Sequence, residues 1–202
     1  SGHVRVYNYN GVDWVQLGND IDGNIDNAGI GSSLSLSGNG KIVAVLGSTN
    51  FSVYEYIGSS WIQMGEDNPV DGLVHTANAS VSINYDGTIL AIGASDHSAG
   101  ASDYPSGYAV IYYYDGSNWL QLETDIEGES TGDMSGHSVS LSSDGNRVAI
   151  GAYLNDWGGV SNSGHVRVYD LITDYMADVV CDSFDWNGQS ISTSGSYEHI
   201  FT

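Results

Sequence analysis

One heptapeptide, SGHVRVY, occurs twice in the chain, at residues 1–7 and again at residues 163–169. Two identical stretches so far apart indicate an internal repeat, and a repeat restricts the fold to a series of similar units. The final tyrosine recurs at intermediate positions, with spacings of 47, 58 and 57 residues. These positions are Tyr7, Tyr54, Tyr112 and Tyr169.

Each repeat carries the same local strand and turn signals. Seven residues after each of the first three tyrosines lies a tryptophan: Trp14, Trp61 and Trp119. An Asn-Gly or Asp-Gly pair between two apolar runs occurs three times, at 39–40, 86–87 and 144–145. Such pairs predict hairpins, and we expect type I′ turns with positive φ at both residues of the pair. The repeat unit is therefore four strands: the hairpin pair, the tyrosine strand, predicted at His3–Tyr9 in the first copy, and the tryptophan strand.

Four-stranded antiparallel units of about 45–60 residues in series are typical of β-propeller blades. The second hairpin strands, with the runs VAV, LAIGA and VAIGA, suit positions buried between neighbouring blades. The sequence thus predicts an all-β propeller over residues 1–170. It would hold about three and a half blades: two strands of one, two complete blades and three strands of a fourth. We expect further sequence to supply the rest, association of separate chains or an open stack being the alternatives.

The repeat pattern ends after residue 170. Residues 171–180 predict a linker, and residues 181–202 predict the start of a C-terminal, β-sandwich-like module with a turn at Asn187-Gly188. Cys181 is the only cysteine, so a disulfide within this chain is excluded.

The charge balance limits the partners of the chain. It has 25 acidic residues against four basic ones, a formal net charge of −21, which repels nucleic acid. No stretch approaches the roughly 20 apolar residues that span a bilayer. The acidity is typical of a solvated surface in a salty or calcium-rich medium, or of divalent cation sites, and the two are compatible.

The loops that join one repeat to the next are the best metal candidates. Clustered carboxylate and amide oxygens suit Ca²⁺, which takes about six to eight oxygen ligands. A plain solvated acidic loop is the alternative. The candidates are Asp20, Asp22, Asn24 and Asp26 in the first loop, and Asp125, Glu127, Glu129 and Asp133 in the third.

The long connections between a hairpin and its tyrosine strand are the candidate ligand-binding loops. We expect them on the opposite side of the hairpin from the acidic loops. Trp157 could stack on a sugar ring, or it could pack over its own blade. The candidates are Asp96, Asp103, Asn155, Asp156 and Trp157.

The sequence gives little indication of catalysis. It contains no H-E-x-x-H, and its single G-x-S-x-G match, GESTG at 128–132, lies in a polar loop and not between a strand and a helix; no repeat gains an acid–base pair that the others lack. His3 and His165 occupy equivalent repeat positions, which favours a structural role. We therefore expect a protein that is not an enzyme.

SGHVRVY, GHSVSLSSDGNRVAIGA at 136–152 and VSINYDGTILAIGA at 81–94 resemble FG-GAP-type propeller repeats of secreted and surface proteins of marine bacteria. These repeats are relatives of the blades of the integrin α-chain headpiece. Integrin-type blades carry calcium in an Asp-x-Asp/Asn-x-Asp-Gly loop, and the short hairpins here lack that loop. The stretch from Cys181 is similar to Cys-x-x-Tyr/Phe-x-Trp-Asn-Gly modules near the C-termini of Bacteroidetes-type surface proteins. That resemblance implies a second cysteine past Thr202.

Together these features predict a non-enzymatic, extracellular adhesion or structural module of a larger surface or secreted protein. Its partners would be protein or glycan surface ligands, or further copies that pair with open blade edges to form an oligomer or a fibre. The alternative is a carbohydrate-binding or carbohydrate-active propeller that uses the long loops.

Overall fold

The computed structural model describes residues 2–23, 26, 28–48, 50–69, 79–96, 106–156, 160–171, 184–186 and 189–191. The chain divides into two compact units, Ser1–Leu171 and Ile172–Thr202. In the described part of the second unit, β17 (Phe184–Trp186) pairs with β18 (Gln189–Ile191). The predicted turn at Asn187-Gly188 lies outside the described residues. In the described ranges, no helix is long and apolar enough to cross a membrane.

The first unit is built from strands that pair in antiparallel sheets, arranged blade after blade along the chain. Blade 1 has β1 (His3–Val4), β2 (Tyr7–Tyr9), β3 (Trp14–Gln16) and β4 (Ile21–Asp22). Blade 2 has β5 (Ser33–Leu36), β6 (Ile42–Leu46), β7 (Asn50–Ile57), β8 (Ser60–Gln63) and β9 (Asn68–Pro69). Blade 3 has β10 (Ala79–Ile83), β11 (Ile89–Ala94), β12 (Tyr108–Tyr114) and β13 (Trp119–Glu127). Blade 4 has β14 (Ser135–Leu141), β15 (Arg147–Ala152) and β16 (His165–Asp170).

The strand order confirms the predicted all-β, four-stranded repeat. Blade 3 is the simplest case, with β10, β11, β12 and β13 in sequential order. Blade 1 contributes only the third and fourth strand positions, and blade 4 only the first three. This division agrees with the two strands, two whole blades and three strands expected from the repeat.

The outer strand of blades 1 to 3 is bulged, and in blade 1 the bulge coincides with a break in the predicted tyrosine strand. In blade 1, β1 pairs with β4 and β2 with β3, so the predicted strand His3–Tyr9 is interrupted at Arg5 and Val6. Blade 3 has a register shift at the same place, between Ala109 and Ile111. Extra residues on the outer strand therefore form a bulge, which increases the local twist.

The hairpin turns differ from the predicted type I′. Gly40 N donates to Ser37 O at 2.8 Å, and Ser37 Oγ accepts from Ile42 N at 2.9 Å. The equivalent side-chain bonds are Ile89 N to Asn84 Oδ1, 3.0 Å, and Arg147 N to Ser142 Oγ, 2.9 Å. Positive φ occurs only at the glycine of each pair: 71° at Gly40, 79° at Gly87 and 76° at Gly145. The type I′ prediction is wrong. The side-chain oxygen of a Ser or Asn accepts from backbone amides and so closes a longer loop.

The hydrophobic core lies between successive blades. Leu90 and Ile92 of β11 pack towards blade 2, in the cluster that contains Phe51 and Trp119. The alternate residues of the same strand, such as Ile89, pack towards blade 4. Strand side chains alternate between two faces, so a strand that is apolar throughout is buried on both sides. The predicted burial of the second hairpin strand is confirmed, most completely in β6 and β11.

Candidate functional site

Each outer-strand tryptophan in blades 2 and 3 joins its blade to the preceding one. Trp61 Nε1 donates to Leu17 O at 2.7 Å, and Trp119 Nε1 donates to Met64 O at 3.1 Å. Leu17 and Met64 occupy the same repeat position, so equivalent hydrogen bonds form at both blade junctions. Gly18 has a φ of 75°, and a Cβ there would lie 2.9 Å from Trp61 Cδ1. A glycine is therefore needed for the indole to approach so closely.

The first strands of successive blades are also linked by a repeated bond. Ile83 N donates to Ser35 Oγ at 3.1 Å, and Leu141 N donates to Ser82 Oγ at 2.9 Å. Ser35 and Ser82 are equivalent, and Ser140 is their counterpart in blade 4. The blade junctions are therefore specific, repeated interfaces with fixed donors and acceptors.

One side of the array exposes positions that are buried at the junctions. The side chain of Trp14 is 70% exposed, whereas the equivalent Trp119 is 3% exposed. We call this surface the leading face; its exposed apolar residues are Tyr7, Tyr9, Trp14, Leu34 and Leu36. A preceding blade would cover such residues.

The other end of the array has a matching exposed surface. Val168 is 64% exposed, whereas the equivalent Ile111 in blade 3 is 3% exposed. Val166 is likewise exposed where its counterpart Ala109 is buried. We call Val166 and Val168 the trailing face. In blade 3 the corresponding residues are covered by blade 4. The trailing face is therefore the surface on which a following blade would pack.

A polar cluster joins the two kinds of loop that the sequence singles out. Asn155 Nδ2 donates to Asp133 Oδ2 at 2.7 Å and lies 3.4 Å from Glu129 Oε2. The expectation that these loops lie on opposite sides of the hairpin is wrong. Neighbouring strands in a blade run in opposite directions, so the second-to-third connection and the exit from the fourth strand share one edge.

The carboxylates of this cluster are balanced by neighbouring donors. Glu129 lies 3.5 Å from both His165 Nδ1 and Arg167 Nη1, and Arg167 Nη2 also donates to Glu127 O at 3.2 Å. Asp133 is only 4% exposed and accepts a bond from Ser130 N at 3.1 Å. A cation bound by Glu129 and Asp133 would have to displace the amide hydrogens between them. The geometry therefore favours a bridge that holds the two loops together.

Asn155 also presents a buried acceptor. Its Oδ1 atom has no hydrogen-bond partner among the described residues. A buried carbonyl oxygen without a donor costs free energy, so a water or a ligand hydroxyl would be favoured there. This buried acceptor could serve a small polar ligand.

Replacing Asn155 by alanine is expected to lower the free energy of unfolding by about 1–3 kcal/mol, because the buried Asp133 carboxylate loses a donor. Urea unfolding measures this change. The matched control is Asn118→Ala, since Asn118 is exposed; its expected change is within about 0.5 kcal/mol. Equal losses in the two variants would show that the bridge contributes nothing to stability.

In the first acidic loop, Asp20 forms an ion pair. Its carboxylate accepts from Arg5 Nη2 at 2.7 Å and Nε at 2.9 Å, and from Gln16 Nε2 at 2.7 Å. The bonds from Arg5, and then from Gln16, lower the pKa of Asp20 from 3.8 to about 2. Asp20 therefore contributes stability above its ordinary pKa, and this contribution is lost as the pH falls towards 2.

We expect Asp20→Asn to flatten the acid limb of the stability curve. The wild-type melting temperature should fall as the pH drops from 3.8 towards 2, and part of this fall should be absent from the variant. Thermal melts across that range at low salt measure the effect, with Asp13→Asn in the same hairpin as the control. Identical pH profiles for wild type and Asp20→Asn would contradict the ion pair.

A glutamine–aspartate pair recurs at the outer-strand bulge of blades 1 to 3. The sequence signal that could have revealed it is the motif W-x-Q-L/M-x-x-D, which occurs at 14–20, 61–67 and 119–125. The bonds are Gln16–Asp20, 2.7 Å, Gln63–Asp67, 2.8 Å, and Gln121–Asp125, 2.7 Å. One acid in each inter-blade loop therefore has a structural partner.

The remaining candidates are scattered. Asp22, Asp26 and Asp96 are exposed, and Asp156 Oδ1 accepts from Asn162 N at 2.7 Å. Asn24, Asp103 and Trp157 lie outside the described residues. Within the described ranges, no three His, Cys, Asp or Glu side chains are grouped so as to hold a metal ion. Calcium binding at these loops stays a prediction.

No family model matches the sequence, and no curated protein matches it significantly. Solved structures do match. A proposed 6-phosphogluconolactonase from Bacteroides uniformis gives a TM-score of 0.55 at 11% identity, over 83% of this chain and 44% of that one. KlAtg21, in its complex with the coiled coil of AgAtg16, gives 0.56 at 12% identity, over 84% and 47%.

These matches show the fold alone. The chain matches partial β-propeller structures over most of its length, and it spans less than half the length of either protein. It is a β-propeller segment made of four-stranded antiparallel blades.

Proposed function

We propose that this chain is a non-enzymatic, extracellular adhesion and structural module whose blades join further blades through the leading and trailing faces. The observation that carries this proposal is the exposure of Trp14 and Val168 where their repeat counterparts are buried. Exposed apolar surfaces of this kind mark interaction sites. Their partner surfaces are defined by the junctions that already exist within the chain.

The composition and the resemblance to FG-GAP-type repeats support an extracellular location. The stretches 1–7, 81–94 and 136–152 carry that resemblance, which implies a surface or secreted protein. A net charge of −21 suits a salty medium, where ions screen the repulsion between copies. Association should therefore strengthen as the ionic strength rises.

The polar loops support a structural role over a catalytic one. Asn155 contacts both Asp133 and Glu129, and Arg167 lies beside Glu129. Groups held in this way fix loop positions. A carbohydrate-binding role is favoured by one observation only, the buried Oδ1 of Asn155.

The proposal is tested by placing charges on the leading face. Leu34→Asp/Leu36→Asp should weaken association by about tenfold or more, since each carboxylate would have to be buried against another blade. Both side chains are exposed in the single chain, so folding should be retained. The matched control is Ile57→Asp, an exposed position away from both faces.

Sedimentation velocity over a concentration series, at low and high salt, measures the effect. The control should associate as the wild type does. Equal association of wild type and the double variant would overturn the proposed role of the leading face.

A further inference from the structure

Three Asn-Gly pairs occur in the chain, at 10–11, 39–40 and 187–188, and the last lies outside the described residues. In such a pair the glycine nitrogen can attack the side-chain carbonyl carbon of the asparagine, because glycine has no side chain to obstruct the approach. We propose that Asn10 is a site of spontaneous deamidation in the folded protein, and that the same reaction is suppressed at Asn39.

The reaction needs only water and a solvent base. The base removes the proton of Gly11 N, a bond forms between this nitrogen and Cγ of Asn10, and the Cγ–Nδ2 bond breaks as ammonia leaves. Water then opens the five-membered succinimide ring. Hydrolysis at Cγ gives aspartate, and hydrolysis at the backbone carbonyl carbon gives isoaspartate. Because a base starts the reaction, its rate should rise with pH.

The turn of blade 1 stabilises the charge that develops during the attack. Asn10 Oδ1 accepts from Val12 N and from Asp13 N, both at 2.9 Å. The turn is closed by a bond from Asn10 N to Asp13 O, 3.1 Å. Negative charge grows on Oδ1 as the glycine nitrogen adds to Cγ, and two backbone N–H donors stabilise an oxyanion at such a position.

The attacking nitrogen of this turn is available. Among the described residues, Gly11 N has no hydrogen-bond acceptor. Gly11 has a φ of 99°, and a Cβ there would meet nothing within 4 Å. Both Asn10 and Gly11 are exposed, so the solvent base and water reach the reacting atoms.

The pair at Asn39 and Gly40 differs in its hydrogen bonds. Asn39 Oδ1 accepts from Lys41 N at 2.8 Å and from Ser37 Oγ at 2.9 Å, so its carbonyl group is also polarised. The difference lies in the nucleophile, because Gly40 N donates to Ser37 O at 2.8 Å. Breaking this bond before the attack should slow the reaction by about fivefold.

Blade 3 contains the same turn with an aspartate in place of Asn10. Asp115 Oδ1 accepts from Ser117 N at 2.8 Å and from Asn118 N at 2.7 Å, and Gly116 has a φ of 97°. The bonds from Asn118, and then from Ser117, lower the pKa of Asp115, so this turn stabilises negative charge on the oxygen. The turn is exposed although blade 3 has a blade on each side, so its exposure is a property of the repeat.

The two products should affect the hairpin differently. Aspartate leaves the backbone unchanged, and Asp115 shows that this residue fits the turn. Isoaspartate adds a methylene group to the backbone within the loop 10–13, which joins the paired residues Tyr9 and Trp14. Isoaspartate should therefore disturb the pairing of β2 with β3, whereas aspartate should preserve it.

The test compares the two asparagines in one sample. The dilute wild-type chain is incubated at mildly alkaline pH, folded in buffer and unfolded in urea, and peptide mass spectrometry with fragmentation measures aspartate and isoaspartate at each site. In the folded chain, Asn10 should react at least about fivefold faster than Asn39. In urea the difference should disappear, because both are Asn-Gly pairs without the folded hydrogen bonds. Equal rates in the folded chain, or a faster reaction at Asn39, would overturn the proposal.

Asp115→Asn transfers the site to blade 3 and is the matched variant. Asp115 is exposed and an asparagine can accept the same two amide bonds, so the variant should fold, which circular dichroism verifies. Position 115 should then deamidate at a rate close to that of Asn10 in the same chain. Retention of the amide at 115 while Asn10 reacts would overturn the turn geometry as the cause. The reaction takes place within a single chain, so these results are independent of the proposed association.

Discussion

Replacing Trp119 by alanine is expected to lower the free energy of unfolding by about 3–5 kcal/mol, the usual cost of deleting a large buried aromatic side chain. The indole is almost fully buried between blades 2 and 3, where its centroid lies 6.2 Å from that of Phe51 and 5.3 Å from that of Tyr114. Its Nε1 donor to Met64 O would also be lost. The variant therefore removes packing and a junction bond together, and urea unfolding of the dilute monomer measures the loss.

Trp14→Ala is the matched control. It removes the same residue type from the same repeat position, beside the equivalent tyrosine, with a Tyr9–Trp14 centroid distance of 5.4 Å. Because Trp14 is exposed in the single chain, the expected change in the monomer is within about 0.5 kcal/mol. Equal losses for the two variants would contradict the assignment of blade 1 to the end of the array.

Gly107→Ala is expected to cost at least about 4 kcal/mol, because it combines backbone strain with a clash. Gly107 has a φ of 72° and forms a bridge to Ser135, where blade 3 meets the first strand of blade 4. A Cβ at this position would fall well inside van der Waals contact with Ser135 N and O. The two backbones cannot separate without breaking the bond from Ser135 N to Ser106 O, 2.9 Å.

Gly116→Ala separates strain from clash. Gly116 has a φ of 97°, and a Cβ there would meet nothing within 4 Å. It should lower the free energy of unfolding only by the cost of backbone strain, about 1–3 kcal/mol. Chemical denaturation of both variants measures the difference, and a Gly107 variant no less stable than the Gly116 variant would contradict the close approach of blades 3 and 4.

The fold was largely predictable from the sequence because the chain repeats. Alternation of apolar residues places strands, and the all-apolar runs such as that of β11 indicate burial on both faces. The turn type was not predictable from Asn39-Gly40 alone. Ser37 Oγ bonds to Ile42 N, and this side-chain contact closes a four-residue loop in place of the two-residue turn.

The candidate site was only partly predictable. Asp133 and Asn155 were both singled out, in different loops, and their contact depends on which blade edge each loop reaches. The edge that each loop reaches follows from the alternating direction of the strands within a blade. The outer-strand bulge also escaped prediction. At the bulge Gln16 donates to Asp20, and composition alone cannot show that this acidic residue has a structural partner.

The account depends most on the claim that the leading and trailing faces are surfaces on which further blades pack. Multi-angle light scattering of the wild-type chain, over a concentration series at physiological and high salt, tests this claim most directly. We predict a mass that rises above that of a single chain as the concentration increases, favoured by higher salt because screening reduces the repulsion between acidic copies. The mass of a single chain at every concentration and salt level would contradict the account.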